Sequence, residues 1–124
     1  MVDLAQHYKD GPVQLGEIAK RQNISVKYLE QLIIPLKKAH YINSIRGPKG
    51  GHMLARPPEK ITAGEIVDVL ERGLELTPCL MDPDGCDRAE ECKTRDVWEI
   101  ASRAMYEKLS SISLSEIIDC KKFQ

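Results

Sequence analysis

Three of the four cysteines in this 124-residue chain, Cys79, Cys86 and Cys92, stand within fourteen residues, and Cys120 stands apart. The segment that carries them, from Leu76 to Cys92, is rich in Pro, Gly and acids and reads as a loop with hardly any apolar residues to bury the thiols. Six and then five residues separate the cysteines. Structural zinc sites pair their ligands across about two to four residues, so zinc suits this spacing poorly. Three thiolates along one flexible loop can wrap a larger object, and an iron–sulfur cluster is the natural candidate. Spacing alone leaves a cluster, a thiol switch and zinc open, while Cys120 reads as a free thiol near a chain end. His7, His40 and His52 have no acid or nucleophile at motif spacing, so no enzymatic activity is expected.

The longest apolar run, Leu32-Ile33-Ile34-Pro35-Leu36, is far too short to span a membrane, and none is expected. Asp3, His7, Lys9 and Asp10 occupy the place of a signal peptide's apolar core. The expected location is the cytoplasm, where structural disulfides are rare and clustered thiols need another use.

A formal net charge of −1 argues at first sight against a polyanionic partner. The charge is unevenly divided. Residues 1–60 hold ten Lys/Arg and five Asp/Glu, a net of +5, and residues 61–124 hold eight and fourteen, a net of −6. Such asymmetry suggests one half meets a polyanion while the other does something else.

The basic half predicts a helix-turn-helix. Met1, Leu4, Ala5 and Tyr8 have helical spacing and stop at Asp10-Gly11-Pro12. Leu15, Ile18 and Ala19 mark a second helix ending near Asn23; Ser25 is a good cap for a third, flanked by Ile24 and Leu29 at staple spacing. In that third helix Leu29, Leu32, Ile33 and Leu36 share one face, with Lys27, Gln31 and Lys38 opposite and Tyr28 and Glu30 on the flanks. Pro35 is expected to kink it. Two β-prone runs, Tyr41–Arg46 and His52–Ala55, surround a Gly/Pro turn and predict a hairpin, a wing with Arg46 and Lys49 at its tip. From Lys20 to Arg56 there are eight Lys/Arg and the single acid Glu30, a footprint suited to DNA phosphates. Lys27 and Gln31 lie near the start of the third helix, where base edges are met.

In the acidic half, Thr62 caps a short amphipathic helix through Leu70, and Thr94 is placed to cap a long one after the cysteines. Val97, Trp98, Ala101, Ala104, Met105, Leu109 and Ile112 form an apolar stripe too wide for so small a chain to cover. A two-fold dimer through this stripe would set two recognition helices against a palindromic site. Ser113 caps a final helix, Leu114 to Ile118. The fold class is therefore mainly α with a small β-hairpin: a winged helix-turn-helix over 1–60, a connecting helix and linker over 61–78, a cysteine loop over 79–92, and dimerisation and C-terminal helices over 93–124.

Asp3-Leu4-Ala5, Gly11-Pro12-Val13, Ile24-Ser25, Tyr28-Leu29-Glu30-Gln31-Leu32, Leu36-Lys37-Lys38 and Arg46-Gly47-Pro48-Lys49-Gly50-Gly51 follow one another, with the three-cysteine loop after them. In this the chain resembles the IscR/NsrR/CymR family of bacterial winged-helix regulators, most closely its iron–sulfur-sensing IscR branch. The resemblance implies a homodimeric transcription factor binding double-stranded DNA, with Cys79, Cys86 and Cys92 holding a [2Fe–2S] cluster. It implies DNA contacts for Lys27, Tyr28, Glu30 and Gln31, and a minor-groove role for Arg46; Glu30 would help choose between classes of site. Ser25, Lys38 and Lys49 join these as candidate DNA-facing residues. Two departures stand out. The family's first helix starts further upstream, so here it is expected to be cut short. At the position of IscR's histidine ligand stands Arg95, which cannot ligate iron, leaving the fourth ligand unassigned. A winged-helix regulator with a thiol or zinc switch, and a small iron–sulfur electron-transfer or carrier protein, are the alternatives.

Overall fold

The computed structural model describes residues 1–73 and 75–120. Three helices open the chain: α1 (Val2–Gln6), α2 (Leu15–Gln22) and α3 (Val26–Lys38). Asn23, in the left-handed region at φ 53°, ends α2, a conformation its short polar side chain tolerates. Two residues later the Tyr28 amide donates to the Ser25 hydroxyl at 3.1 Å and starts α3. The helix runs on through Pro35 to Lys38. Proline leaves only the Gln31 carbonyl without its helical donor, and Gln31 is exposed, where water serves instead.

The hairpin is β1 (Ile42–Ile45) against β2 (Gly51–Leu54), antiparallel, with Ile42 opposite Leu54 and Ile45 opposite Gly51. Val13 adds one isolated rung to β2, its amide and carbonyl pairing with those of His52 at 2.9 and 2.8 Å. This approach explains Gly51: with φ at +154°, a Cβ there would lie 2.5 Å from the Val13 carbonyl oxygen.

A short 3₁₀ turn (Pro58–Lys60) leads to α4 (Ala63–Glu71). What sequence reads as a plain loop contains one helical turn, α5 (Pro78–Met81), and a 3₁₀ turn (Pro83–Gly85). Proline at its first helical position sets the backbone angle that starts α5. Then come α6 (Lys93–Ser110) and α7 (Leu114–Asp119). Cys92, not Thr94, is the N-cap residue of α6; the Thr94 hydroxyl turns to the Cys92 sulfur at 3.0 Å instead.

One core joins the two halves. Leu4, Ile18, Leu29, Ile33, Leu36, Ile42 and Leu54 pack with Ile61 and Leu114, which are almost wholly buried. Next to this pair the Leu114 amide donates to the Ile61 carbonyl and the Ala63 amide to the Ile112 carbonyl, both at 2.8 Å. Thr62 and Ser113, paired in this bridge, each form a capping box, with Glu65 and Glu116 respectively. α6 lies against α4 so closely that a Cβ on Gly64 would strike the Ser110 hydroxyl and come within 2.8 Å of its amide nitrogen.

The buried polar exception in the first half is Asp3, 4% exposed. Its carboxylate takes two hydrogen bonds from the Arg21 guanidinium, at 2.9 and 2.7 Å, and one from Gln22 at 3.2 Å, tying α1 to α2. Arg21 holds the Asp3 carboxyl below the ordinary aspartate range against the opposing effect of burial. A depressed folded-state pKa contributes stability that is present above the unfolded value and lost as pH falls through the folded one. Asp3→Asn is therefore expected to cost about 1 to 3 kcal/mol near neutral pH. In thermal melts the gap between variant and parent should shrink as pH is taken below about 4; a gap independent of pH would contradict the ion-pair role.

Candidate nucleic-acid interface and metal centre

The capping hydroxyl of Ser25 sits at the head of α3, and Lys27, Tyr28, Glu30, Gln31 and Lys38 all project to solvent beyond it. At 100° per residue Lys27, Gln31 and Lys38 fall within about 40° of one another. Ile34 lies on the same face and is 54% exposed, an apolar group amid cations and amides. The sequence reading grouped it with the apolar run and so passed over it; a helical wheel places it on the polar side. Opposite, Leu29, Ile33 and Leu36 are buried and hold the helix by its back.

Arg46 and Lys49 are exposed at the hairpin tip, where the Gly50 amide donates to the Gly47 carbonyl at 2.9 Å and closes the turn. The hairpin packs on α3 through β1, so wing and helix are fixed to one another. Ser44 and His52 share a hydrogen bond at 2.9 Å across the strands. Burial, then the nearby Lys37 charge, lowers the His52 pKa below the ordinary histidine value, which favours the neutral ring. Two cations of the basic footprint are engaged internally: Arg21 with Asp3, and Arg56, which stacks 4.4 Å over the Tyr41 ring and lies 3.9 Å from Glu65. The remaining six, Lys20, Lys27, Lys37, Lys38, Arg46 and Lys49, are exposed.

In the second half, Cys79 lies within α5 and is half-buried, its sulfur 3.1 Å from the Thr77 hydroxyl. Cys86, exposed, follows the 3₁₀ turn and shares with Cys79 a hollow also lined by Pro78, Asp82 and Gly85. Cys92 is half-buried at the head of α6. The Thr94 hydroxyl first, then the Arg95 amide and the Arg88 charge, push its thiol toward the thiolate. The Arg95 guanidinium reaches back to the Ala89 carbonyl at 3.4 Å, and Ala89 is buried. Arg95 thus pins the turn between Cys86 and Cys92 onto α6. Cys120 lies beyond α7, among the residues around Lys108 and Ile112 rather than with the other three.

These donors suit an iron–sulfur cluster: three thiols in one accessible segment, two of them around a common hollow and the third already biased to its ligating form. Among the described residues no three His, Cys, Asp or Glu side chains converge as a ready-made metal site. To hold such a group, the segment would have to draw in around it.

The apolar stripe on α6 divides in two. Met105, Leu109 and Ile112 are half-buried toward the body of the molecule, whereas Val97 and Ile100 are 61% and 66% exposed, Trp98 45%, and Ala104 is also open. Ile100 lies just outside the stripe read from sequence. Ser102, which that reading gave no role, is buried and accepts a hydrogen bond from the Leu76 amide at 3.0 Å. A lone serine in mid-helix carries no signal of such a contact. No described helix is long and apolar enough to cross a membrane.

A family model described as Rrf2, an iron-dependent transcriptional regulator, matches residues 1–120. The chain belongs to the Rrf2 family. It is 42% identical to the Rrf2 protein of Nitratidesulfovibrio vulgaris over 118 residues, 95% of this chain and 79% of that protein. The IscR regulator of Xenorhabdus nematophila is 37% identical over 118 residues, 95% of this chain and 71% of the relative. Among solved structures, IscR of T. potens superposes with a TM-score of 0.77 at 41% identity, covering 95% of this chain and 77% of that one. CymR, the global cysteine regulator of B. subtilis, gives 0.76 at 36% identity, covering 95% and 86%. The chain is thus an IscR-like Rrf2-family transcriptional regulator, of a DNA-binding family, and not an enzyme.

The environment of Cys92 has a measurable consequence. In metal-free protein, iodoacetamide labelling followed by mass spectrometry across a pH series should place the inflection for Cys92 below the ordinary cysteine value. Thr94→Ala should move that inflection upward. An inflection at the ordinary value that Thr94→Ala leaves in place would refute the assignment of a favoured thiolate.

Proposed function

We propose that this chain is a homodimeric regulator whose α3 and hairpin engage a palindromic double-stranded DNA site and whose Cys79, Cys86 and Cys92 hold a [2Fe–2S] cluster reporting iron–sulfur status or redox stress. The observation that carries this reading is the joining of three accessible loop thiols to the N-terminus of a helix whose outer face is bare and apolar. A bound cluster supplies an oxidant-labile one-electron centre.

In this reading Lys27 and Gln31 meet base edges in the major groove, with Tyr28 and Lys38 beside them, Ser25 near the backbone and Ile34 placed to touch a thymine methyl. Arg46 enters the minor groove and Lys49 neutralises phosphate. Glu30 repels phosphate unless it accepts a donor such as cytosine N4, so it rejects sites as well as selecting them. The open edge of α6 around Val97, Ile100 and Ala104 is covered by the same helix of a second copy, which spaces two recognition helices for a palindrome. A cluster-free thiol switch is the second reading, favoured by the lowered pKa of Cys92.

Anaerobic purification with iron and sulfide analysis and a visible spectrum separates the two. Iron and sulfide in equal amounts with visible absorbance is the expected result; colourless, iron-free protein after reconstitution would leave the thiol switch. For DNA, Arg46→Ala should weaken binding and reduce the slope of log affinity against log salt by about one, and an unchanged slope would remove the wing from the interface. In sedimentation experiments Ile100→Glu should give monomers where the parent is dimeric; a dimeric variant would place the interface elsewhere.

A further inference from the structure

We propose that Asp82 is the oxygen ligand that completes the metal centre of the cysteine loop; this rests on the reading of that loop as a cluster site. A [2Fe–2S] cluster takes four protein ligands, two on each iron, and three cysteines leave one position to fill. The hollow between α5 and the 3₁₀ turn is lined by Cys79, Cys86, Pro78, Gly85 and Asp82. Among the described residues, Asp82 alone of the five carboxylates between Leu76 and Cys92 lines it, and no cation does.

The backbone places the carboxylate there. Asp82 ends α5, its amide donating to the Pro78 carbonyl at 3.0 Å, and its own carbonyl accepts from the Gly85 amide at 3.2 Å. The tight turn folds the carboxylate over Gly85: a Cβ on that glycine would lie 3.0 Å from Oδ2 and 3.4 Å from Cγ. Any side chain at position 85 would crowd the carboxylate, one residue before Cys86. Asp82 is exposed, and among the described residues it has no ion-pair partner. Arg95, by contrast, is turned away to the Ala89 carbonyl and fixes the loop rather than the metal.

An oxygen ligand among three sulfurs leaves a spectroscopic signature. The full chain, loaded anaerobically with ferrous iron and sulfide, is compared with Asp82→Ala, Asp82→Cys and the control Asp84→Ala. The readouts are iron and sulfide content, visible circular dichroism, electron paramagnetic resonance of the reduced protein and loss of iron to a chelator. Asp82→Ala should shift the resonance and dichroism and lose iron about tenfold faster. Asp82→Cys should keep its iron with the spectrum of an all-thiolate cluster, and Asp84→Ala should match the parent. A loaded parent from which Asp82→Ala is indistinguishable overturns the role of Asp82 while leaving the cluster. A parent that takes up no iron overturns the cluster reading, and the ligand with it.

Discussion

Two peptide hydrogen bonds hold the cysteine-bearing half to the basic half: Leu114 to Ile61 and Ala63 to Ile112, each 2.8 Å long. Around them the chain starts two helices in the same way, with Thr62 and Ser113 as facing caps and Glu65 and Glu116 closing the boxes. Ile61 and Leu114 fill the space beneath, and burying both groups excludes water from the bridge. The rest of the architecture hangs from this joint. It sets α7 against α1, sends α4 across α3, and fixes the angle at which α6 leaves with the cysteine segment at its far end.

The path from the Cys92 sulfur to the basic face of α3 consequently runs through packed elements. Cys92 heads α6, α6 packs on α4, α4 packs on α3, and α3 carries the exposed face of Lys27, Gln31 and Lys38. The uneven charge of the two halves acquires a physical sense along this path. Of the eight cations from Lys20 to Arg56, six are exposed, and two, Arg21 and Arg56, serve as internal ties. The second half, with fourteen acids to eight cations, carries the opposite sign.

Local chemistry was the most legible part of the sequence. Ser25, Thr62 and Ser113 act as caps because a hydroxyl followed by a helical pattern has a single strong local use, and the hairpin follows from its Gly/Pro turn. Contacts between residues distant in sequence were not legible. Asp3 meets Arg21 eighteen residues later, Val13 joins the sheet as one isolated rung, and Ser102 caps nothing yet accepts from Leu76. Each depends on where whole elements come to rest, which periodicity does not encode. The cysteine segment was half legible: composition identified it as exposed, but the turn that brings Cys79, Asp82 and Cys86 around one hollow arises from Pro78 and Gly85 acting together. The cap of α6 was misassigned to Thr94 because a hydroxyl is the commoner cap, and here it is engaged by the sulfur.

The contact of Gly64 with Ser110 gives the molecule a fulcrum. With backbone almost on backbone, α4 and α6 have no room to slide past one another there, so the angle between them is set at that point. α6 extends from Ser110 back to Lys93, a lever arm of about 25 Å at the helical rise. A difference of about 5° in that angle would move the far end by about 2 Å. By the same geometry, a small rearrangement of the cysteine segment would act with long leverage on a joint one helix away from the exposed basic face of α3.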